Sequence, residues 1–223
     1  MSGATRTPGG VGSLYPFLDQ GAADLDAVLA EVTRSTVEKA REVVALRQAV
    51  VERDGARLAA CAAALAGAFR AGGRLYAFGN GGSSTDAHAV AGLFLNPGGR
   101  SPALPAVALT SDVALLTALA NDVGFDLVFA RQLAAVGQEG DVAVGLSTSG
   151  GSANVLRGFE EAKRRGMLTV GLGGDDGGRM AEVGTIDHLF VVPSSSVHRI
   201  QEAQTTIYHV LWELTVRALA RDA

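Results

Sequence analysis

Five short apolar runs alternate with helix-period segments from residue 75 onward in this 223-residue chain. The runs cover 75–78, 103–109, 142–147, 168–172 and 189–192. They are apolar almost throughout, so each reads as a strand buried on both faces. Helices are expected between them at 83–95, 113–120, 125–136, 153–165 and, briefly, 178–182, with a long closing helix at 198–220. Strand–helix alternation of this kind folds as an α/β domain with a five-stranded parallel sheet between two layers of helices and right-handed crossovers. Ligands of such sheets sit beyond the carboxyl ends of the strands. Ahead of the sheet, 24–70 is alanine-rich and helical by period. Leu25, Val28, Leu29, Val32 and Thr36 recur at helical spacing, as do Leu58, Ala62, Leu65 and Phe69. Two helices are expected there, broken near Asp54-Gly55. Residues 1–13 read as a disordered tail, 14–72 as a helical segment packed on the core, and 73–223 as the α/β domain.

Composition narrows the partners. With 19 Lys and Arg against 23 Asp and Glu the net charge is −4, which leaves no basic surplus for nucleic acid or an anionic membrane. No apolar run approaches the ~20 residues of a membrane span, and the N-terminus lacks the pattern of a signal peptide. The expected location is the cytoplasm. The single cysteine, Cys61, lies in an alanine-rich helical run and reads as a small core hydrophobe.

Two loops carry the chemistry. Phe78-Gly79-Asn80-Gly81-Gly82-Ser83 and Leu146-Ser147-Thr148-Ser149-Gly150-Gly151-Ser152 each follow a strand-like run and open a helix-like one. A helix start offers unpartnered backbone N–H groups and partial positive charge. Hydroxyls add donors, and glycines allow close approach. Ser147, Thr148, Ser149 and Ser152 can wrap one phosphate, with Ser152 doubling as a helix N-cap. No lysine follows, so this is not a nucleotide P-loop, and Ser84 breaks the dinucleotide fingerprint. The pair points to a phosphorylated small molecule.

These loops, followed by Asp86-Ala87, Asn121-Asp122, Ala153-Asn154-Val155, Asp176-Gly177-Gly178 and Arg199-Ile200-Gln201-Glu202, resemble in order and spacing the sugar isomerase (SIS) domain, in its phosphoheptose isomerase branch. The resemblance covers residues from about 24 to the C-terminus. It implies a homo-oligomer, dimer or tetramer, that binds a sugar phosphate, usually sedoheptulose 7-phosphate. It implies Ser83, Ser147, Thr148, Ser149 and Ser152 as phosphate ligands, with Asn80 and Asp122 near the sugar. Gly81, Asp86, Asn121 and Gln201 complete the expected substrate-binding set.

The resemblance breaks at the metal. The branch places a histidine and a glutamate, zinc ligands and proposed base, at the positions held here by Ala89 and Leu93. Gln201 and His209 match the remaining zinc positions, eight residues apart and about 12 Å along a helix. His88 lies one residue from Ala89, about 100° around the helix. Where the branch usually carries an acid before Arg199, this chain has His198. His209 therefore reads as a catalytic acid or base, as a metal ligand, or as a helix histidine at an interface. Asp86 reads as a first-turn carboxylate supporting the helix start or as a base. Asp122 and Glu202 are the spare carboxylates for proton transfer, and His188 reads as a surface residue. The stripe Ile200, Ala203, Ile207, Val210, Leu211, Leu214 and Ala218 is core or interface. The function expected is an aldose–ketose isomerase, with His209, Glu202 and Asp122 as its acid–base groups. The alternative is a catalytically silent protein that senses a phosphosugar or docks a protein partner.

Overall fold

The computed structural model describes residues 25–98 and 102–221, so the expected N-terminal tail lies outside the described residues. The elements run α1 (Leu25–Arg70), β1 (Leu75–Gly79), α2 (Gly82–Leu95), β2 (Ala106–Ala108), α3 (Val113–Asp122), a 3-10 turn (Phe125–Leu127), α4 (Val128–Val136), β3 (Val142–Ser147), α5 (Ala153–Arg164), β4 (Leu168–Gly174), α6 (Gly178–Glu182), β5 (His188–Val192) and α7 (Val197–Arg221). The strands form one parallel sheet in the order β2-β1-β3-β4-β5. The chain steps outward from β1 to β2 and then returns to place β3 on the other side of β1. The strand order therefore reverses between β1 and β3, where Gly79 pairs with Leu146 at the strand ends. That is the crevice in which parallel sheets of this type bind ligands.

Alternation along the strands divides the core. Leu75 and Ala77 of β1 face one layer with Val142, Val144, Leu146, Val170, Leu172 and Phe190; α2, α7 and the C-terminal part of α1 pack there through Phe94, Ile207, Leu65 and Phe69. Tyr76 and Phe78 face the opposite layer, where Phe129 of α4 and Val155 and Phe159 of α5 meet them. Side chains of successive strand residues point to opposite faces, so one strand feeds both cores. Cys61 lies buried in the first layer, as expected, and burial pushes its thiol up to about 12. His188, expected at the surface, is instead half-buried at the start of β5. Burial holds its imidazole below the ordinary histidine value, against the opposing pull of Asp187.

One helix stands where two were expected: α1 runs unbroken through Asp54-Gly55. Asp54 is 1% exposed and does not cap a new helix. Its carboxylate accepts from Arg53 (2.6 Å) and Arg57 (2.7 Å). Those guanidiniums also donate to the Val191 and Leu189 carbonyls of β5. β5 is an edge strand, and its outward carbonyls are thereby covered instead of left open to pairing. The two arginines remain about half exposed, at 47% and 54%, so the cost of removing Asp54 is set by the lost charged hydrogen bonds rather than by a stranded buried cation. We expect Asp54→Ala to cost about 1.5–3 kcal/mol. That corresponds to a fall of roughly 3–12 °C in the melting temperature. Thermal denaturation followed by circular dichroism measures it, and an unchanged midpoint would show that the triad is dispensable.

Candidate functional site

The serine loop begins where β3 ends. Ser147, 4% exposed, is the last strand residue, and its Oγ lies 3.1 Å from Ser152 Oγ across the turn. Ser152 is the N-cap of α5 by position, as expected, but its side chain makes no capping bond. The hydroxyl turns to Ser147 instead, which leaves the first N–H groups of α5 without a side-chain acceptor from the cap. Ser149 Oγ accepts from Gly151 N at 3.3 Å, and Thr148 and Ser152 are partly exposed. The turn closes with Gly150 N donating to Ser147 O at 3.0 Å. The hydroxyls of Ser147 and Ser152 thus lie together at the N-terminus of α5.

The loops at the ends of β1 and β4 complete the rim. Gly81, at φ 55, turns the chain from β1 into α2, whose first turn is closed by Ser84 N and Thr85 N donating to Gly81 O. Ser83 is buried in that turn. Asn80 joins the first loop to α5 through a reciprocal amide pair with Asn154: each Nδ2 donates to the other's Oδ1, at 2.8 and 2.9 Å. Asn154 is 2% exposed. Beyond β4, Gly178 N donates to Asp176 Oδ1, and Met180 N donates to Gly150 O at 3.0 Å.

From the other side, α7 brings Gln201. Its Nε2 donates to Asp86 Oδ2 at 3.1 Å, and its amide packs so closely on Gly82 that a Cβ built there would lie 2.4 Å from it. Thr205 Oγ1 donates to Gln201 O, and His209 Nδ1 lies 2.7 Å from Thr205 O, so Gln201, Thr205 and His209 follow one another at four-residue spacing along α7. With Nδ1 on a carbonyl, the Nε2 of His209 is the ring atom left for chemistry. Asp86 is half-buried, and burial raises its carboxyl above the ordinary range while the Gln201 bond pulls the other way. It belongs to the second turn of α2, and no acidic residue occupies the first. The first-turn reading of Asp86 is thereby corrected.

The other expected residues are placed elsewhere. Glu202 is exposed and held at 2.7 Å by Arg199. Asn121 and Asp122 end α3, exposed and hydrogen-bonded to each other at 2.8 Å. His88 is exposed, and its Nε2 lies 3.0 Å from Thr110 Oγ1, itself 2.7 Å from Ser84 Oγ. That chain lies on the side of α2 facing the end of β2. Sequence reasoning missed Thr110, Asn154 and Thr205. Asn154 stands in the Ala153-Asn154-Val155 motif that carries the resemblance, but no role is attached to it there.

A cleft of about 460 Å³ beside β2 is lined by Tyr76, Val107, Leu115, Leu119, Gln132 and Val136, among others. It shares no residue with the three loops, so its size alone does not make it the reaction centre. The zinc implied by the resemblance does not fit the donors present. Ala89 is exposed, Leu93 packs against the core, and neither carries a ligand atom. The Gln201 amide is bonded to Asp86. Among the described residues no three His, Cys, Asp or Glu side chains converge as a metal ion requires.

Comparison with known proteins agrees with this architecture. The SIS domain family model matches residues 40–174. A phosphoheptose isomerase from Roseiflexus sp. (strain RS-1) is 39% identical over 191 residues, covering 85% of this chain and 96% of its own length. Its counterpart from Geobacter metallireducens is 46% identical over 164 residues, 73% of this chain and 86% of its own. The solved phosphoheptose isomerase of Neisseria gonorrhoeae superposes with a TM-score of 0.72 at 36% identity, over 83% of this chain and 97% of that one. With its family domain and its relatives in agreement over most of its length, this chain belongs to the SIS domain family, among the phosphoheptose isomerases.

Proposed function

We propose that the protein binds a phosphorylated sugar over the ends of β1, β3 and β4 and interconverts its aldose and ketose forms, with a phosphoheptose as the substrate class. The observation that carries this reading is the Ser147–Ser152 turn. The Ser147 and Ser152 hydroxyls bond to each other and not to the helix they precede, so they and the N-terminus of α5 are available to a dianion. A phosphate there gains roughly 0.3–1 kcal/mol from the helix dipole and more from each charged hydrogen bond. Ser147, Thr148, Ser149, Ser152 and Ser83 are the phosphate ligands of this reading. Asn80, Gly81 and Gln201 line the sugar, and Asn121 and Asp122 reach it only from the end of α3. His209, through its free Nε2, is the acid that serves the sugar oxygens.

The proposal extends to assembly and location. Val28, Leu29, Val32 and Val37 are exposed on the N-terminal part of α1, and Val107, Val113, Leu115 and Phe125 are exposed around β2 and α3. Apolar surface of this extent is what self-association covers, so a homodimer or homotetramer is the expected state. No described helix is long and apolar enough to cross a membrane, and we place the protein in the cytoplasm.

The test is direct. Purified protein is incubated with sedoheptulose 7-phosphate and with hexose and pentose phosphates, and products are read by NMR. Conversion of a heptose phosphate is expected. Conversion of none of these sugars overturns the isomerase reading; saturable binding without conversion would leave a phosphosugar-binding protein in its place.

A further inference from the structure

Resting on the isomerase reading, we infer that Asp86 is the base that carries the proton between the two reacting carbons. Aldose–ketose interconversion needs one group that takes a proton from C2 and returns it to C1. That group must lie within reach of the sugar and must not be neutralised by a fixed cation.

The titratable groups around the loops divide on those two conditions. Glu202 is tied to Arg199 and exposed. Asp122 is tied to Asn121 at the end of α3. Asp176 accepts from Gly178 N and shapes the third loop. His88 is turned to Thr110, on the side of α2 that faces the end of β2. Asp86 meets both conditions. It lies one helical turn beyond Gly82, on the same side of α2, because residues four apart share a helix face. Gln201 packs against Gly82 and bonds Asp86, which sets the carboxylate over the first loop. Its bond is to a neutral amide through Oδ2, and no arginine, lysine or histidine forms an ion pair with it among the described residues. The amide fixes the carboxylate's orientation and leaves Oδ1 to the substrate.

The transfer balances without a co-reactant. Asp86 takes the C2 proton. The C2–H electron pair becomes the C1=C2 double bond, and the C1 carbonyl π pair moves to O1. The O2 hydroxyl proton passes to O1, the C2=O bond forms, and the C1=C2 pair takes the proton back from Asp86 onto C1. The carboxylate is restored, and one hydrogen on carbon and one on oxygen have moved. The serine loop holds the phosphate, and β1 and β3 are adjacent strands about 4.8 Å apart, so a sugar anchored at Ser147 reaches the loop beneath Asp86 within its own length.

The test uses the full chain and sedoheptulose 7-phosphate in deuterated water. Kinetics are read in both directions, and solvent deuterium entering at C2 of the aldose and at C1 of the ketose is read by NMR. For Asp86→Asn we expect kcat to fall by about 10²–10⁴-fold, with KM within about threefold and deuterium incorporation lost. Asp86→Glu should keep measurable incorporation at reduced kcat. Asp86→Ala is measured in parallel, in case the amide disturbs folding. A folded Asn or Ala variant that keeps kcat within tenfold, or that loses activity only through KM, overturns the assignment while the isomerase reading stands. A wild-type protein inert towards every sugar phosphate overturns both.

Discussion

Gly150→Ala is expected to abolish measurable sugar-phosphate binding and to lower the melting temperature by roughly 6–12 °C. Gly150 adopts φ +62, the left-handed region, which costs an L-residue about 1–2 kcal/mol. The greater penalty is steric. A Cβ at this position would lie 1.9 Å from the Gly177 carbonyl oxygen, and that atom is backbone, not the tip of a flexible side chain. Relief requires the serine loop and the Asp176–Gly178 loop to separate. Separation breaks the bond from Met180 N to Gly150 O and moves Ser149, whose carbonyl lies against Gly178. A total of about 3 kcal/mol is expected from backbone strain and lost contacts together. Gly151 is the internal control. A Cβ there meets nothing nearer than 3.8 Å, so Gly151→Ala should retain both fold and binding. Calorimetric titration with sedoheptulose 7-phosphate and thermal denaturation distinguish the two. Equal damage from both variants would show that the loop tolerates no change at all, and retained binding in Gly150→Ala would show that the two loops need not touch.

That contrast is invisible in the sequence, where Gly150 and Gly151 are equivalent neighbours. What is legible there is whatever local chemistry determines. β3 reads with the bounds it has because all six of its residues are buried, and an apolar run between turn signals has one interpretation. β4 reads short, ending at 172 instead of 174, because Gly173 and Gly174 look like a turn; they belong to the strand and pair with Val191 and Val192. β2 shrinks from an expected seven-residue run to Ala106–Ala108. Pro102 and Pro105 cannot donate to a ladder, which confines pairing to the residues after them. The break expected at Asp54-Gly55 fails for a tertiary reason. An Asp-Gly pair signals a turn unless the carboxylate has cations of its own helix beside it, and Arg53 and Arg57 supply them.

The site follows the same division. Hydroxyls and glycines between a strand and a helix are a local signal, and both loops stand out by it. The Asn80–Asn154 pair spans 74 residues, and the Asp86–Gln201 bond spans 115. Neither partner choice has a local cause. Ala89 and Leu93 are legible as absences, but not the consequence that an uncompensated carboxylate stands a turn away from Gly82 with Gln201 holding it.

The remaining large effect concerns the phosphate itself. Replacing both Ser147 and Ser152 with alanine should weaken sugar-phosphate binding by about two orders of magnitude or more. Each hydroxyl bonded to a dianion contributes about 1.5–3 kcal/mol, and 1.4 kcal/mol is a factor of ten in affinity. The two are 3.1 Å apart and bond each other before the ligand arrives, so their contributions are coupled. Single variants should therefore each lose about tenfold, because the remaining hydroxyl is freed to re-aim at the phosphate, and the double variant, which has neither, should lose at least the product. Folding should be little affected, because alanine fills most of the serine volume. Ser147 is the last residue of a strand whose ladder is made by backbone. The diagnostic comparison is with the unphosphorylated sugar. Wild type should discriminate strongly in favour of the phosphorylated form, and the double variant should lose most of that preference while its weak affinity for the free sugar stays unchanged. If the preference survives both substitutions, the phosphoryl group is held elsewhere, and the assignment of this turn as its cradle fails.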